Sequence, residues 1–153
     1  MTEDSGRTAN ILLIEDDQED QWATKRAFSK GRLRNTLYIV DNGAEALDFL
    51  YNRGNYEDKS KYPRPDIILL DLNLPVLDGR AVLTEIKESD ALRALPVIVL
   101  TTSTQEEDIL RSYNLGVNSY ISKPVDFEKF ISIIQELSHY WLELVVLPPS
   151  HHS

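Results

Sequence analysis

The sequence predicts a doubly wound α/β domain built on a parallel sheet. Three observations carry this reading: five short apolar runs recur along the chain, each closes on polar or acidic residues, and amphipathic stretches of helical period separate them. Within the runs apolar and polar residues do not alternate. That composition suits strands covered on both faces, as parallel strands are when they lie between two layers of helices. A chain of 153 residues is the size of one domain with a substantial core.

Each element can be justified in order. Residues 11–14 form the first apolar run and close on Glu15-Asp16-Asp17. A helix over 18–30 follows, with Ala23, Thr24, Ala27 and Phe28 on one arc, and Asp17 before it reads as the N-cap. The second run, 36–40, ends at Asp41-Asn42-Gly43 and leads to a helix over 44–51 carrying Ala46, Leu47 and Leu50. Residues 56–65 are a polar, proline-bearing connection, longer than most such loops. The third run, 67–70, stops at Asp71, and a helix over 81–87 directs Val82, Leu83 and Ile86 inward. The fourth, 97–100, stops at Thr101 before a helix over 105–114 with Ile109, Leu110 and Tyr113. The fifth, Tyr120-Ile121, leads to Lys123-Pro124 and to the longest and most apolar helix, 126–141. Pro148-Pro149 cannot continue that helix. The expected organisation is a tail over 1–9, a domain over 10–141 and an extension over 142–153, whose His151-His152-Ser153 resembles the remnant of a purification tag.

Composition excludes several functions. With 16 Lys+Arg against 25 Asp+Glu the formal charge is −9, which argues against nucleic acid or an anionic membrane as the principal partner. The absence of cysteine removes disulfides, thiolate metal sites and cysteine nucleophiles. No apolar run is long enough to span a bilayer, and residues 1–10 lack the apolar core of a signal peptide. A cytoplasmic protein is expected.

In an open parallel sheet, ligands gather at the carboxyl ends of the strands. Those ends supply Glu15, Asp16 and Asp17, then Asp71, Thr101 and Lys123. Crowded carboxylates repel one another unless a cation sits among them, and oxygen donors with open positions suit Mg²⁺. Lys123 adds a point charge able to pair with a carboxylate or a phosphoryl oxygen, and Thr101 adds a hydroxyl. Taken singly, each of these is an ordinary turn, cap or surface residue. Four strand ends delivering complementary groups to one edge is not ordinary.

Residues 11–17, Asp71-Leu72-Asn73-Leu74-Pro75 with Asp78-Gly79, Thr101, and Tyr120-Ile121-Ser122-Lys123-Pro124 resemble the receiver domain of two-component response regulators. The resemblance implies a flavodoxin-like fold with strand order 2-1-3-4-5. It implies a receiver over 10–141 in which Asp71 accepts a phosphoryl group from a sensor histidine kinase. It further implies Mg²⁺ held by Asp16, Asp71 and the Asn73 carbonyl, with Glu15 acting through water, and phosphoryl oxygens bound by Thr101 and Lys123. Thr101 and Tyr120 would form the switch. Asp78-Gly79 would allow a tight chain reversal beside the site. Arg53-Gly54-Asn55-Tyr56, Pro63-Arg64-Pro65-Asp66, Thr101-Thr102-Ser103 and Ser112-Tyr113-Asn114-Leu115 are similar to the phytochrome-associated response regulators, as is the stretch from Trp141 to Val146-Leu147-Pro148. That points to a phytochrome-type kinase and to a regulator that is not an enzyme.

Two features stand apart from the site. The apolar arc of the last helix is about 180° wide, where roughly 100° suffices for packing on a sheet. The excess flank leads us to expect a homodimer through Phe130, Ile133, Leu137, Tyr140, Trp141 and Leu144, unless the following tail covers it. Trp22 lies off the buried stripe of its helix, with Tyr38, the preceding loop or a kinase as its candidate partners. Two rival functions remain at this point: a receiver-like scaffold that is never phosphorylated, and a haloacid-dehalogenase-type phosphatase. The phosphatase pattern needs an acid two residues after the nucleophile, where this chain has Asn73.

Overall fold

The computed structural model describes residues 8–30, 34–74 and 77–137. In chain order the elements are β1 (Ala9–Ile14), α1 (Gln18–Ser29), β2 (Asn35–Val40), α2 (Gly43–Tyr51), a 3₁₀ turn (Gly54–Tyr56), β3 (Ile67–Asp71), α3 (Gly79–Glu88), β4 (Val97–Thr101), α4 (Thr104–Ser112), β5 (Ser119–Ser122) and α5 (Phe127–Leu137). The strands form one parallel sheet in the order β2-β1-β3-β4-β5. This is the flavodoxin-like receiver fold, with the order reversing between β1 and β3.

Because side chains alternate across a strand, each apolar run serves two cores. Ile11 and Leu13 of β1, with Ile67 and Leu69 of β3, face α1 and α5, where Phe28 meets Phe127 and Phe130 edge to face at 5.4 and 4.8 Å between ring centres. Leu12, Ile14, Ile68 and Leu70 face α2, α3 and α4 through Phe49, Val82, Ile86 and Leu110. All eight strand residues are fully buried, each burial contributing about 1.5–3 kcal/mol. The helices start where short polar side chains close the first turn: Asp17 accepts from the Asp20 amide, Asn42 from Glu45, Asp78 from Arg80 and Ser103 from Glu106.

The structure departs from the sequence reading in four places. The connection over 56–65 is an aromatic lobe rather than a polar overhang. Tyr56 and Tyr62 pack on each other and on Phe49, and the Asn52 amide donates to the carbonyls of Tyr56 and Tyr62 at 3.0 and 2.8 Å. In α4 only Leu110 turns inward. Ile109 and Tyr113 stand in solvent although the three share an arc of about 100°, because the face packed on the sheet is centred to the Leu110 side of that arc. Trp22 does not reach Tyr38; it lies 59 % exposed under the Arg26 guanidinium, one turn further along α1. In α5, Phe130 is fully enclosed by its own chain and so cannot serve as an exposed contact, while Ile133 is half-buried. The Leu137 side chain, Tyr140, Trp141 and Leu144 lie outside the described residues.

Candidate functional site

The reversal of strand order opens the carboxyl edge of the sheet, and the chain places its charged residues there. Glu15 follows β1 directly, its amide still held by the Val40 carbonyl of β2 at 3.1 Å. Asp71 is the last residue of β3, Thr101 the last of β4, and Lys123 follows β5. Glu15 and Asp71 are buried, at 1 % and 5 % exposure, while Asp16 faces solvent. One carboxylate oxygen from each of Glu15, Asp16 and Asp71 falls within 4.8 Å of the others.

The Lys123 ammonium lies 2.8 Å from Glu15 Oε1, 2.8 Å from Asp71 Oδ2 and 3.0 Å from Asp20 Oδ2. Burial alone would lower the Lys123 pKa, but hydrogen bonds to Asp71, Glu15 and Asp20 outweigh it and push the group up, so its charge is permanent. Glu15 is raised to about 7: burial is the largest cause, the bonds from Lys123 and the Asp17 amide offset it only partly, and the charge of Asp71 pushes the same way as burial. Three carboxylates thus face one ammonium, and a fourth, Asp16, lies in the same acidic pocket. This donor set fits a hard divalent cation: oxygen atoms only, an excess of negative charge, and one face open at Asp16.

The remaining expected residues are also placed here. The Asn73 amide donates to Asp71 Oδ1 at 2.9 Å, so this residue orients the Asp71 carboxylate through its backbone and offers no acid. The Thr101 hydroxyl turns toward β5, 3.4 Å from the Ile121 carbonyl and 3.5 Å from Ser122 Oγ, both long contacts. Tyr120 is inside rather than in solvent. Its hydroxyl donates to the Leu110 carbonyl at 3.3 Å, and the Arg111 guanidinium caps its ring at 4.6 Å. Gly79 is explained by close approach, not by a chain reversal. A Cβ there would sit 2.5 Å from Leu72 Cα and 2.6 Å from the Asp71 carbonyl oxygen. Asp17 caps α1 as expected.

Residues 11–135 match the response regulator receiver domain. The chain belongs to this family. It is similar to the response regulator Rcp1 of Synechocystis, 40 % identical over 148 residues that cover 97 % of this chain and 99 % of that one. The manganese-bound crystal structure of Rcp1 superposes with a TM-score of 0.67 at 41 % identity, covering 92 % of this receiver and 99 % of that chain. The bacteriophytochrome response regulator RtBRR gives 0.80 at 40 % identity, covering 94 % and 86 %. The phosphorylated cyanobacterial phytochrome response regulator RcpA gives 0.68 at 39 %, covering 89 % and 95 %. The receiver is therefore a response regulator related to those of phytochromes. Receivers bind Mg²⁺ or Mn²⁺ at an acidic pocket, and the carboxylates of Glu15, Asp16 and Asp71 form such a pocket here.

Three participants escaped the sequence reading. Asp20 is an ion-pair partner of Lys123. The Gln21 amide ties the Glu15 carbonyl to Asp41 Oδ1 at 2.6 and 2.8 Å, and Ser122 lies beside the Thr101 hydroxyl. Asp20 and Gln21 sit on the first turn of α1 among other polar residues, where nothing local marks one as turned inward.

Proposed function

We propose that this receiver accepts a phosphoryl group on Asp71 from a phytochrome-type sensor histidine kinase. The observation that carries the proposal is the buried Asp71 carboxylate at the end of the central strand, 2.8 Å from a half-buried ammonium and within a three-carboxylate pocket. In the transfer, an Asp71 oxygen forms the new P–O bond as the P–N bond to the kinase's phosphohistidine breaks, and the imidazole leaves with the electron pair. Asp71 gives up its full charge in the acyl phosphate, and Lys123 exchanges it for a phosphoryl oxygen without leaving the site. Asp16, Asp71 and the Asn73 carbonyl are the groups that would hold Mg²⁺, with Glu15 behind a water. When bound, the ion neutralises charge on the transferring oxygens. Mn²⁺ in Rcp1 and the phosphorylated state of RcpA support both halves of this reading.

The Thr101 hydroxyl, held only by long contacts, is free to turn to the phosphoryl group, and Tyr120 responds under α4. The signal leaves through a homodimer face beside Tyr120, where Ile109 and Tyr113 stand 52 % and 63 % exposed, and to which the sequence reading adds Ile133, Leu137, Tyr140, Trp141 and Leu144. The regulator acts in the cytoplasm and is not an enzyme. Among the described residues no helix is long and apolar enough to cross a membrane. Acetyl phosphate with Mg²⁺ provides the test. One stable phosphoryl group per chain is expected; continuous phosphate release would make the protein a phosphatase, and no label would make it a scaffold. Phosphotransfer profiling against candidate sensor kinases identifies the donor.

A further inference from the structure

Lys123 has three carboxylate neighbours, and only two come from the strand ends. The third, Asp20, stands on the first turn of α1, 103 residues away in sequence, with its side chain 35 % exposed at the rim of the site. Of the three N–H donors of an ammonium, one goes to Asp71 at 2.8 Å and one to Asp20 at 3.0 Å, while Glu15 Oε1 lies 2.8 Å away as an ion-pair partner. Glu15 is enclosed and cannot withdraw. Asp71 loses its negative charge when it becomes an acyl phosphate, which frees one donor for the phosphoryl group. Asp20 keeps both its charge and its donor. It sits where the amino end of α1 favours an anion, on the side of Lys123 away from the protein interior.

We infer that Asp20 is a positioning residue that holds Lys123 toward α1 and competes with the phosphoryl group for it. The inference rests on Asp71 being the acceptor. Two effects act in the same direction. Asp20 occupies an N–H that a dianionic phosphoryl group would otherwise use, and its carboxylate repels that group across the ammonium. Asp20 therefore weakens the phosphorylated state relative to the unmodified one. By linkage, a phosphoryl group at Asp71 loosens the Asp20–Lys123 pair, so the start of α1 senses the modification directly. Glu19 provides the internal control. It carries the same charge on the same turn but is not an ion-pair partner of Lys123 among the described residues.

The test is the affinity for beryllofluoride, a phosphoryl mimic, at saturating Mg²⁺, together with the affinity for Mg²⁺ alone. Asp20→Asn is expected to tighten beryllofluoride by about three- to tenfold, the scale of a partly exposed charge pair and its repulsion. Mg²⁺ alone should bind no tighter, because Lys123 then leans more fully on Asp71. Opposite responses of this kind cannot come from damage to the fold, which weakens both. Glu19→Gln should change beryllofluoride binding by less than about twofold. Unchanged or weaker beryllofluoride binding in Asp20→Asn overturns the inference, as does an equal gain in Glu19→Gln. A wild type that labels with acetyl phosphate separates that failure from failure of the acceptor reading. A wild type that neither labels nor binds beryllofluoride overturns both.

Discussion

Buried carboxylates occur at both ends of the sheet, and only those at one end gather on a single lysine. At the amino edge, Asp66 precedes β3 at 4 % exposure; its amide donates to the Asn10 carbonyl at 2.6 Å and its Oδ2 accepts from the Asn10 amide at 2.7 Å. That carboxylate braces β3 against β1 through backbone atoms. At the carboxyl edge, Glu15 and Asp71 are as deeply buried but lean on one lysine at the end of a flexible stem. Backbone partners cannot be exchanged without unpairing strands. An ammonium can be traded for a cation or shared with a phosphoryl group. The difference separates a carboxylate that builds the fold from one placed where a ligand can reach it.

The sharpest test of that contrast is a double dissociation. Asp71→Asn should abolish acetyl-phosphate labelling while shifting the urea midpoint little. Asp66→Ala should keep the label but cost about 1–3 kcal/mol, the penalty for leaving the Asn10 amide buried without its acceptor. Labelling lost in Asp66→Ala at temperatures where the protein is still folded would break the comparison.

A smaller loss is expected from Gly79→Ala. The added methyl would meet backbone atoms of Asp71 and Leu72 that cannot rotate away, so overpacking should cost about 1–3 kcal/mol and slow labelling by moving the acceptor. Thermal unfolding and the labelling rate should fall together.

The pH response follows from Glu15, whose carboxyl is raised from 4.5 to about 7. A raised folded-state value means the metal-free fold gains stability from the held proton, fully below about pH 4.5 and progressively less as pH rises through 7. Mg²⁺ must displace that proton, so its apparent affinity should fall by up to about tenfold per pH unit below 7 and level off above it. Calorimetry in buffers of different ionisation enthalpy would count the released proton; an affinity flat from pH 6 to 8 would contradict the assignment. The smallest effect on labelling is expected for Thr101→Ala, which should leave Asp71 reactive while the Tyr120 resonance no longer responds to beryllofluoride.

Most of the fold was legible because buried parallel strands are written as continuous apolar runs, and the site was legible because each run stops on a charged or hydroxyl residue. The failures share a cause. Asp20, Ser122 and Asp66 matter through partners that topology brings to them, at 103, 21 and 56 residues' separation, and nothing in their local surroundings distinguishes them from solvated residues. Ile109 and Tyr113 failed the other way: periodicity identifies apolar side chains but not which of them the neighbouring strand leaves room for.

The two glycines at the helix starts have a mechanical consequence. A Cβ on Gly43 would come 2.5 Å from the Leu77 carbonyl and 2.6 Å from Val82 Cγ2, and one on Gly79 would strike Leu72 and Asp71. From α2 through Leu77 and α3 to the acceptor strand, main chain bears closely on its neighbour with little compliant side chain between. Across the sheet, β5 meets α4 through a phenol bond of 3.3 Å from Tyr120, and the end of β4 meets β5 through Thr101 hydroxyl contacts of 3.4 and 3.5 Å. One flank of the acceptor is stiff and the other is soft. Work done at Asp71 therefore cannot dissipate evenly: the stiff flank serves as an anvil, and displacement emerges on the side that yields.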